Sequence, residues 1–182
     1  TFSYPRQMML GAINDNSLIY QMGADIARQL KRLGVHVNFA PVIDINSNPQ
    51  NPVINTRAFG ENREQTVEKG LAYMAGMQDN GVLACAKHFP GHGDTDADSH
   101  YTLPLVNHSK QRLDSIELYP FKKLIDKGVS GVMVSHLNIP ALEKTQDLAA
   151  SLSYGIVQKL LVDTMGFNGL IYTDALNMKG VS

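Results

Sequence analysis

The stretch Gly81-Val82-Leu83-Ala84-Cys85-Ala86-Lys87-His88 has the pattern of a buried strand that ends in polar side chains. Three other short apolar runs have the same form, with a carboxylate or an imidazole at or just beyond the end. They cover residues 35–42 before Asp44, residues 131–135 before His136, and residues 169–173 before Asp174. Strands that are apolar on both faces are typical of a parallel sheet covered by helices.

Longer segments with apolar residues at three- and four-residue steps separate these runs, which predicts helices between the strands. We expect helices over residues 18–33, 61–79, 110–127 and 154–165. Gly34 and Gly128 follow two of these segments as C-terminal signals, and Ser109 is a candidate N-cap. Residues 8–13 are a candidate fifth strand.

The alternation of strands and helices leaves two architectures, a doubly wound sheet and a (β/α)8 barrel of the TIM type. The chain has neither G-x-G-x-x-G after its first strand nor G-x-x-x-x-G-K-[ST], so no motif supports a nucleotide-binding fold. The polar strand ends favour the barrel, because the carboxyl ends of barrel strands form the active-site face. The sequence therefore predicts an α/β protein of the TIM-barrel type.

The length indicates that only part of a barrel is present. A complete barrel needs eight strands and roughly 250 residues, whereas the 182-residue chain has four clear strand patterns. We expect residues 1–182 to form a single domain that is the central portion of a larger barrel. The remaining barrel segments, or another chain, would complete the fold.

The composition excludes several functional classes. With 43% hydrophobic residues and a formal net charge of -1, the chain is neither disordered nor a nucleic-acid binder that works through bulk positive charge. One cysteine, Cys85, excludes an internal disulfide. No run reaches the roughly 18 apolar residues that suggest a membrane span, and the first six residues lack the pattern of a signal peptide. The expected partner is a small molecule.

The densest group of polar side chains lies in residues 87–100, which contain one lysine, three histidines and three aspartates at a strand end and in the loop that follows. Asp98 precedes His100 by two residues, so a turn would let the carboxylate hold one imidazole nitrogen. The other nitrogen would then be available to exchange a proton, as a general acid that later acts as a base requires.

A solvated polar loop and a metal site are the alternatives for this segment. Histidine and aspartate are common metal ligands, but the spacing fixes no coordination set and no H-E-x-x-H is present. The candidate ligands are His88, His92, Asp94, Asp98 and His100. His36 and His108, outside this segment, are expected to be structural.

Single polar residues at other strand ends are further candidates. Asp174 is a candidate nucleophile or metal ligand, and helix N-cap is the alternative role. Arg57 would either clamp a polar substrate or form a surface salt bridge. Asp44 and His136 are candidate substrate-binding residues. The alternative role of Asp44 is to form hydrogen bonds within the turn-rich stretch that follows it.

The motifs resemble those of a known family. Lys87-His88-Phe89-Pro90-Gly91-His92-Gly93, followed after four residues by Asp98-Ser99-His100, resembles the signature of the β-N-acetylglucosaminidase branch of family 3 glycoside hydrolases. Three further segments are similar to the family's third strand, its arginine motif and its nucleophile segment, in the family order. They are Phe39-Ala40-Pro41-Val42-Ile43-Asp44, Arg57-Ala58-Phe59-Gly60 and Thr173-Asp174-Ala175-Leu176-Asn177-Met178.

The resemblance implies a retaining hydrolase that removes terminal β-linked N-acetylglucosamine and needs no cofactor or metal. It implies that Asp174 is the nucleophile that forms a covalent glycosyl-enzyme, and that His100, held by Asp98, is the acid/base. A retaining mechanism needs such a pair, with an imidazole here in place of the usual second carboxyl. Three more residues match sugar-binding positions of the family: Arg57, Lys87 and His88.

The chain departs from the family pattern at both ends. The family's first two strands, with an Asp-Gln-Glu-Gly-Gly-like segment, have no counterpart after Thr1, and the chain stops at Ser182 before the family's last strands. We therefore expect the isolated chain to be weakly active or inactive.

The resemblance leaves several properties open. Peptidoglycan-derived muropeptides and chitin-derived oligosaccharides are both substrates within the family, and some members transfer the sugar to phosphate. A bacterial cytoplasmic location and a periplasmic or cell-envelope location are equally compatible. Two other classes of function stay open, a metal-dependent hydrolase using the histidine and aspartate loop and a non-catalytic carbohydrate-binding fragment.

Overall fold

Four parallel strands form one sheet in the order in which they occur along the chain. The computed structural model describes residues 3–96, 102–178 and 181. Its strands are β1 (Val37–Asn38), β2 (Leu83–Phe89), β3 (Gly131–Val134) and β4 (Leu170–Thr173). The strand order of a doubly wound sheet reverses at a switch point, and no reversal occurs among these four strands. The sheet is therefore part of a barrel wall, which confirms the predicted fold class.

Helices connect the strands. They are α1 (Gln7–Gly11), α2 (Asn16–Arg32), α3 (Arg63–Gln78), α4 (Lys110–Ser115) and α5 (Tyr119–Asp126), and a last helix, Gly155–Thr164, has π-type hydrogen bonding. Single 3-10 turns lie at Asn55–Arg57 and Ala150–Leu152. Side-chain caps begin three of the helices: Asp15 accepts from the Ser17 amide, Asn62 from the Gln65 amide, and Ser109 from the Arg112 amide. The predicted helices over 18–33, 61–79 and 154–165 and the Ser109 N-cap are thus confirmed.

Two glycines let α2 and α3 approach closely. A Cβ atom on Gly76 would lie 2.2 Å from the Tyr20 carbonyl oxygen, and one on Gly23 would lie 2.6 Å from the Tyr73 carbonyl oxygen. Both separations are shorter than van der Waals contact, so any side chain at these positions would push the two helices apart. Apolar residues of both helices belong to the same hydrophobic core as Ala84 and Ala86 of β2.

The prediction of a fifth strand over residues 8–13 is wrong, because α1 occupies this segment. Its Met-Met-Leu run has no β-branched residue, and such unbranched side chains favour a helix. The end of α1 also packs closely against the backbone of Phe59, since a Cβ on Gly11 would lie 1.8 Å from the Phe59 carbonyl oxygen.

The single helix predicted over residues 110–127 is also wrong, because the segment forms α4 and α5 with a break between them. Pro120 lies in the first turn of α5. In an unbroken helix its ring would clash with the Ile116 carbonyl and it would supply no amide proton to that oxygen. Glu117 lies in the break and is buried.

The bounds of the first two strands differ from those predicted. Residues 35–42 form only the two-residue β1 and an isolated bridge between Val42 and Lys87, because Pro41 interrupts the ladder and has no amide hydrogen. Backbone hydrogen bonds nevertheless continue alongside β2, as the Ile43 amide donates to the Lys87 carbonyl. Strand β2 extends to Phe89, so Lys87 and His88 lie within it.

The two faces of the sheet differ in chemistry. Ala84 and Ala86 of β2 belong to the main hydrophobic core beneath the helices. On the opposite face, Lys87 pairs in register with Met133, which pairs with Tyr172. The Tyr172 ring also contacts the ring of Phe39 edge to face, with 5.0 Å between centroids. Within the described residues, no helix is long and apolar enough to span a bilayer.

Candidate active site

A cavity of about 460 Å³ lies at the carboxyl ends of the strands. Its lining includes residues from all four strands or the segments that directly follow them. The lining residues are Phe39, Val53, Arg57, Lys87, His88, His92, Met133, Thr173, Asp174 and Ala175. Four residues predicted from the sequence, Arg57, Lys87, His88 and Asp174, therefore share one cavity.

Asp174 is placed in this cavity by the end of β4. Its amide donates to the Val134 carbonyl at 2.9 Å, which continues the ladder between β3 and β4 by one residue. Its Oδ1 accepts from the Ala175 amide at 2.8 Å, so a local turn orients the carboxylate. The side chain is partly exposed, as a nucleophile that meets a substrate must be.

Lys87 lies on the same face of the sheet as Met133 and lines the cavity together with Asp174. The charged groups around the cavity affect its pKa. Burial, together with the nearby Arg57 guanidinium, lowers the pKa of Lys87 from its ordinary value. The carboxylates of Asp174 and Asp44 act in the opposite direction and favour the ammonium form. The cavity thus combines a lysine and an arginine with one carboxylate in its lining.

A chain of hydrogen bonds joins Asp44, His88 and Arg57. Asp44 Oδ2 lies 2.8 Å from His88 Nδ1, and His88 Nε2 lies 3.2 Å from the Arg57 Nη2. A carboxylate only accepts and a guanidinium only donates. The His88 proton therefore belongs on Nδ1, and the neutral Nε2 accepts from Arg57. The Val53 carbonyl accepts from the second terminal nitrogen of Arg57 at 3.2 Å.

Asp44 is buried beneath His88 and does not line the cavity. Its Oδ1 accepts from the His92 amide at 2.7 Å, and both of its oxygens lie near the His88 amide. Burial alone would raise the pKa of Asp44, but the interactions with His88 and His92 outweigh burial and hold it below its ordinary value. The structure thus gives Asp44 a supporting position, in which it acts on the cavity through His88.

A second buried network holds the start of the segment that follows β2. The Thr95 hydroxyl lies 2.8 Å from His92 Nδ1 and donates to the His92 carbonyl at 3.2 Å. Asn51 donates to the same carbonyl at 2.8 Å, and its own Oδ1 accepts from the amides of Val53 and Ile54. Burial lowers the pKa of His92. Asn51 therefore connects the segment before Arg57 to the segment that contains His92.

His136 is buried and lies outside the cavity lining. Its Nε2 lies 3.1 Å from the Ala175 carbonyl and its Nδ1 lies 2.7 Å from the Ser151 hydroxyl. Because a carbonyl only accepts, His136 Nε2 carries a proton. This geometry places His136 behind the residue that follows Asp174, where it holds the backbone of the segment after β4.

Asp98 and His100 lie outside the described residues, so the predicted acid/base pair stays a prediction. The alternative metal set of the same segment is not assembled among the residues that the structure does describe. One group of three potential ligands comes together there, and neither His88 nor His92 belongs to it. That group, which contains Asp94, lies outside the cavity lining.

Sequence reasoning missed Asn51, Thr95 and Ser151 as supporting residues. Each is a small polar residue whose partner is distant in sequence or lies across a turn, and no motif spacing reveals such partners. Asn51 occurs in an Asn-Pro-rich stretch, where its type is explained equally well by turn formation. Only the fold shows that it is buried and bonded to His92.

Comparison with known proteins assigns the family. The model of the glycosyl hydrolase family 3 N-terminal domain matches residues 2–182. The chain belongs to glycosyl hydrolase family 3. This confirms the resemblance that the motifs carry.

Relatives and solved structures of this family are similar over most of the chain. The β-hexosaminidase A of Pseudoalteromonas piscicida is 41% identical over 172 residues, which are 89% of this chain and 29% of the relative. The β-hexosaminidase of Nitrosomonas eutropha is 35% identical over 96% of this chain and 51% of its own length. A family 3 β-N-acetylglucosaminidase structure from Paenibacillus superposes with a TM-score of 0.94 and 45% identity, covering 97% of this chain and 33% of that one. The family 3 chain thus spans between about a third and a half of these proteins.

Proposed function

We propose that this family 3 chain supplies the nucleophile and part of the sugar site of a retaining β-N-acetylhexosaminidase. The observation that carries the proposal is the shared cavity, in which Asp174 at the end of β4 faces Lys87 and Arg57. The names of the related β-hexosaminidases support the same reaction.

In the proposed reaction an Asp174 oxygen attacks the anomeric carbon of the terminal sugar. The bond from this carbon to the aglycone oxygen breaks as His100 gives that oxygen a proton, which leaves a covalent glycosyl-enzyme. Water then attacks the same carbon and gives a proton back to His100, and the ester bond to Asp174 breaks. Free N-acetylglucosamine is released and both side chains return to their starting states.

The polar groups on the β2 side are proposed to bind the sugar hydroxyls. Arg57 has two of its terminal nitrogens engaged with Val53 and His88, so its plane is fixed before a substrate arrives. Lys87 adds an ammonium group on the same face of the sheet as Met133. Fixed donors of this kind reduce the ordering that substrate binding would otherwise require. Asp44 and His136 are proposed to position the site rather than to contact the sugar.

Peptidoglycan-derived muropeptides are the proposed natural substrates in a bacterial host. The cavity of about 460 Å³ suits the binding of one terminal sugar. A direct comparison of a muropeptide with a chitin disaccharide, by release of free N-acetylglucosamine, tests this choice. Faster turnover of the chitin disaccharide would contradict it.

The reaction is tested by the release of nitrophenol from an aryl β-N-acetylglucosaminide by the protein that contains this chain. We expect Asp174→Asn to lower kcat by at least about 10⁴-fold, because the nucleophile is lost. The matched control is Asp163→Asn, which changes an exposed carboxylate of the last helix. Mass spectrometry of a reaction with a slow fluorinated substrate should show one sugar on the peptide that contains Asp174.

Three results would contradict the proposal. Turnover that survives Asp174→Asn but is lost on chelation would indicate a metal-dependent hydrolase. Binding of N-acetylglucosamine by the folded wild type without turnover would indicate a non-catalytic carbohydrate-binding protein. Transfer of the sugar to phosphate, with no free N-acetylglucosamine, would indicate a phosphorylase.

A further inference from the structure

Three potential metal ligands from separate segments meet away from the cavity. Asp94 follows β2, His108 precedes α4, and Glu117 lies in the break between α4 and α5. One ligand atom from each lies within 4.8 Å of the other two. We call these three residues the Asp94 cluster. Neither the family motifs nor the proposed reaction uses His108 or Glu117.

The buried carboxylate of Glu117 lacks a partner on one of its oxygens. Glu117 is 5% exposed, its Oε1 accepts from Arg112 Nη2 at 2.9 Å, and its Oε2 has no hydrogen-bond partner among the described residues. An unpaired oxygen on a buried carboxylate is costly, because the charge has lost its hydration. A cation in the Asp94 cluster would satisfy this oxygen.

One guanidinium serves both carboxylates of the cluster. Arg112 Nη2 lies 2.9 Å from Glu117 Oε1 and 3.9 Å from Asp94 Oδ2, and it is the only arginine or lysine paired with the cluster among the described residues.

We propose that the Asp94 cluster binds a divalent first-row transition ion such as Zn²⁺, through one imidazole nitrogen and two carboxylate oxygens. This donor set suits Zn²⁺ or Co²⁺, with water as the fourth ligand, better than it suits Mg²⁺ or Ca²⁺, which prefer oxygen alone. Ligand distances of about 2.0–2.2 Å place tetrahedral ligand atoms roughly 3.4 Å apart. The ligand atoms of the cluster all lie within 4.8 Å of one another, and the His108 imidazole is in hydrogen-bond contact with the Asp94 carboxylate. Because these two side chains are partly exposed, they can separate enough to admit the ion.

Arg112 competes with the ion for the same carboxylates. Its side chain is 35% exposed, so it can turn outward when the ion binds. Because a guanidinium and a divalent ion repel each other, removal of the guanidinium should strengthen ion binding. If the cluster were only a salt-bridge network, removal of Arg112 would weaken it and would not increase the affinity for an ion.

The position of the cluster gives the ion a specific role. Asp94 and His108 lie on either side, in sequence, of the segment that contains Asp98 and His100. A metal bound by both residues would fix the two ends of that segment to each other and to Glu117. Ion binding by the Asp94 cluster is independent of the proposed glycosidase reaction and is measured without a sugar.

Calorimetric titration of the protein that contains this chain with Zn²⁺, and absorption spectra with Co²⁺, test the site. We expect one ion per chain, a Co²⁺ spectrum of four-coordinate intensity, and no binding of Mg²⁺. Glu117→Gln and His108→Gln should each lower the affinity at least about tenfold, because each removes a ligand. Arg112→Met should raise the affinity, by up to about tenfold.

Matched variants locate the ion. Asp114→Asn changes an exposed carboxylate of α4 that pairs with Lys110, and should leave the affinity unchanged. Circular dichroism melts of each variant establish that it is folded. Unchanged affinity in folded Glu117→Gln and His108→Gln would overturn the proposal. So would an affinity lost only in His92→Gln, which would place the ion at the cavity, or the absence of any Zn²⁺ binding by the wild type.

Discussion

The β2 side and the β4 side of the candidate active site are built in different ways. On the β2 side, Asp44 and His88 are buried and joined by hydrogen bonds that continue to Arg57. On the β4 side, the carboxylate of Asp174 is partly exposed, and within the described residues its one hydrogen bond comes from the neighbouring Ala175 amide. The proposed binding groups are thus held by a buried network, whereas the side chain of the proposed nucleophile is held by one local hydrogen bond.

Because of this difference, we expect substitutions on the two sides to affect different properties. Changes to the β2 side should lower the free energy of unfolding, because they leave buried polar groups without partners. Changes to Asp174 should affect the reaction while leaving the fold intact. Chemical denaturation of variants of the protein that contains this chain measures the difference between the two sides.

The largest effect is expected for Asp44→Ala. This change leaves the His88 imidazole and the amides of His88 and His92 without their buried acceptor. We expect the free energy of unfolding to fall by about 3–5 kcal/mol, because several buried donors lose their acceptor at once and each costs about 1–3 kcal/mol. Asp44→Asn keeps one acceptor oxygen and should recover part of this loss. A loss below about 1 kcal/mol, the net worth of an ordinary hydrogen bond, would show that the network does not hold the β2 side together.

A smaller effect is expected for Asn51→Ala. Asn51 links the His92 carbonyl to the amides of Val53 and Ile54, and all of these contacts are lost. We expect a decrease of about 1–3 kcal/mol in the free energy of unfolding. Asn48→Ala is the matched control, since Asn48 is less buried and, among the described residues, its side chain bonds to Thr95 and Gln50. Equal losses in the two variants would contradict the prediction.

The pH dependence of stability should identify Asp44 as part of this network. Its pKa is lower in the folded chain than in the unfolded chain, where an aspartate titrates near about 3.9. Its contribution is therefore complete above that value and is lost as the pH falls through the folded pKa. The difference in unfolding free energy between wild type and Asp44→Asn should be constant near neutral pH and shrink below about pH 4. A difference that grows on acidification would reverse the sign and contradict the assignment.

The sequence predicts the elements of the fold better than it predicts the network. Gly34 and Gly128 end their helices, and the apolar runs before Asp174 and His136 form strands, because these signals are local. The break at Pro120 is also visible in the sequence, but the apolar spacing on both sides of it suggests one helix. In the sequence, Asp44 cannot be distinguished from an aspartate that only helps to form a turn. Its burial beneath His88 depends on two segments more than forty residues apart, which no local pattern reports.

The Asp94 cluster shows the same limit. The sequence predicts a structural role for His108 and places Glu117 within one continuous helix. Their approach depends on the break between α4 and α5, which turns Glu117 inward against Arg112. Apolar periodicity across residues 110–127 therefore predicts one helix and gives no indication of the polar cluster at the break.

The smallest change in stability is expected for Asp174→Asn, and this result completes the comparison. The asparagine side chain would keep an oxygen for the Ala175 amide, and the backbone bond from residue 174 to Val134 does not involve the side chain. We expect the free energy of unfolding to change by less than about 0.5 kcal/mol, as for other partly exposed positions without buried partners. Because the same substitution should abolish turnover, a folded and inactive variant would assign Asp174 to chemistry alone. A loss of about 2 kcal/mol or more, as expected for a buried partner, would instead make Asp174 a structural residue, and the contrast between the two sides of the cavity would then fail.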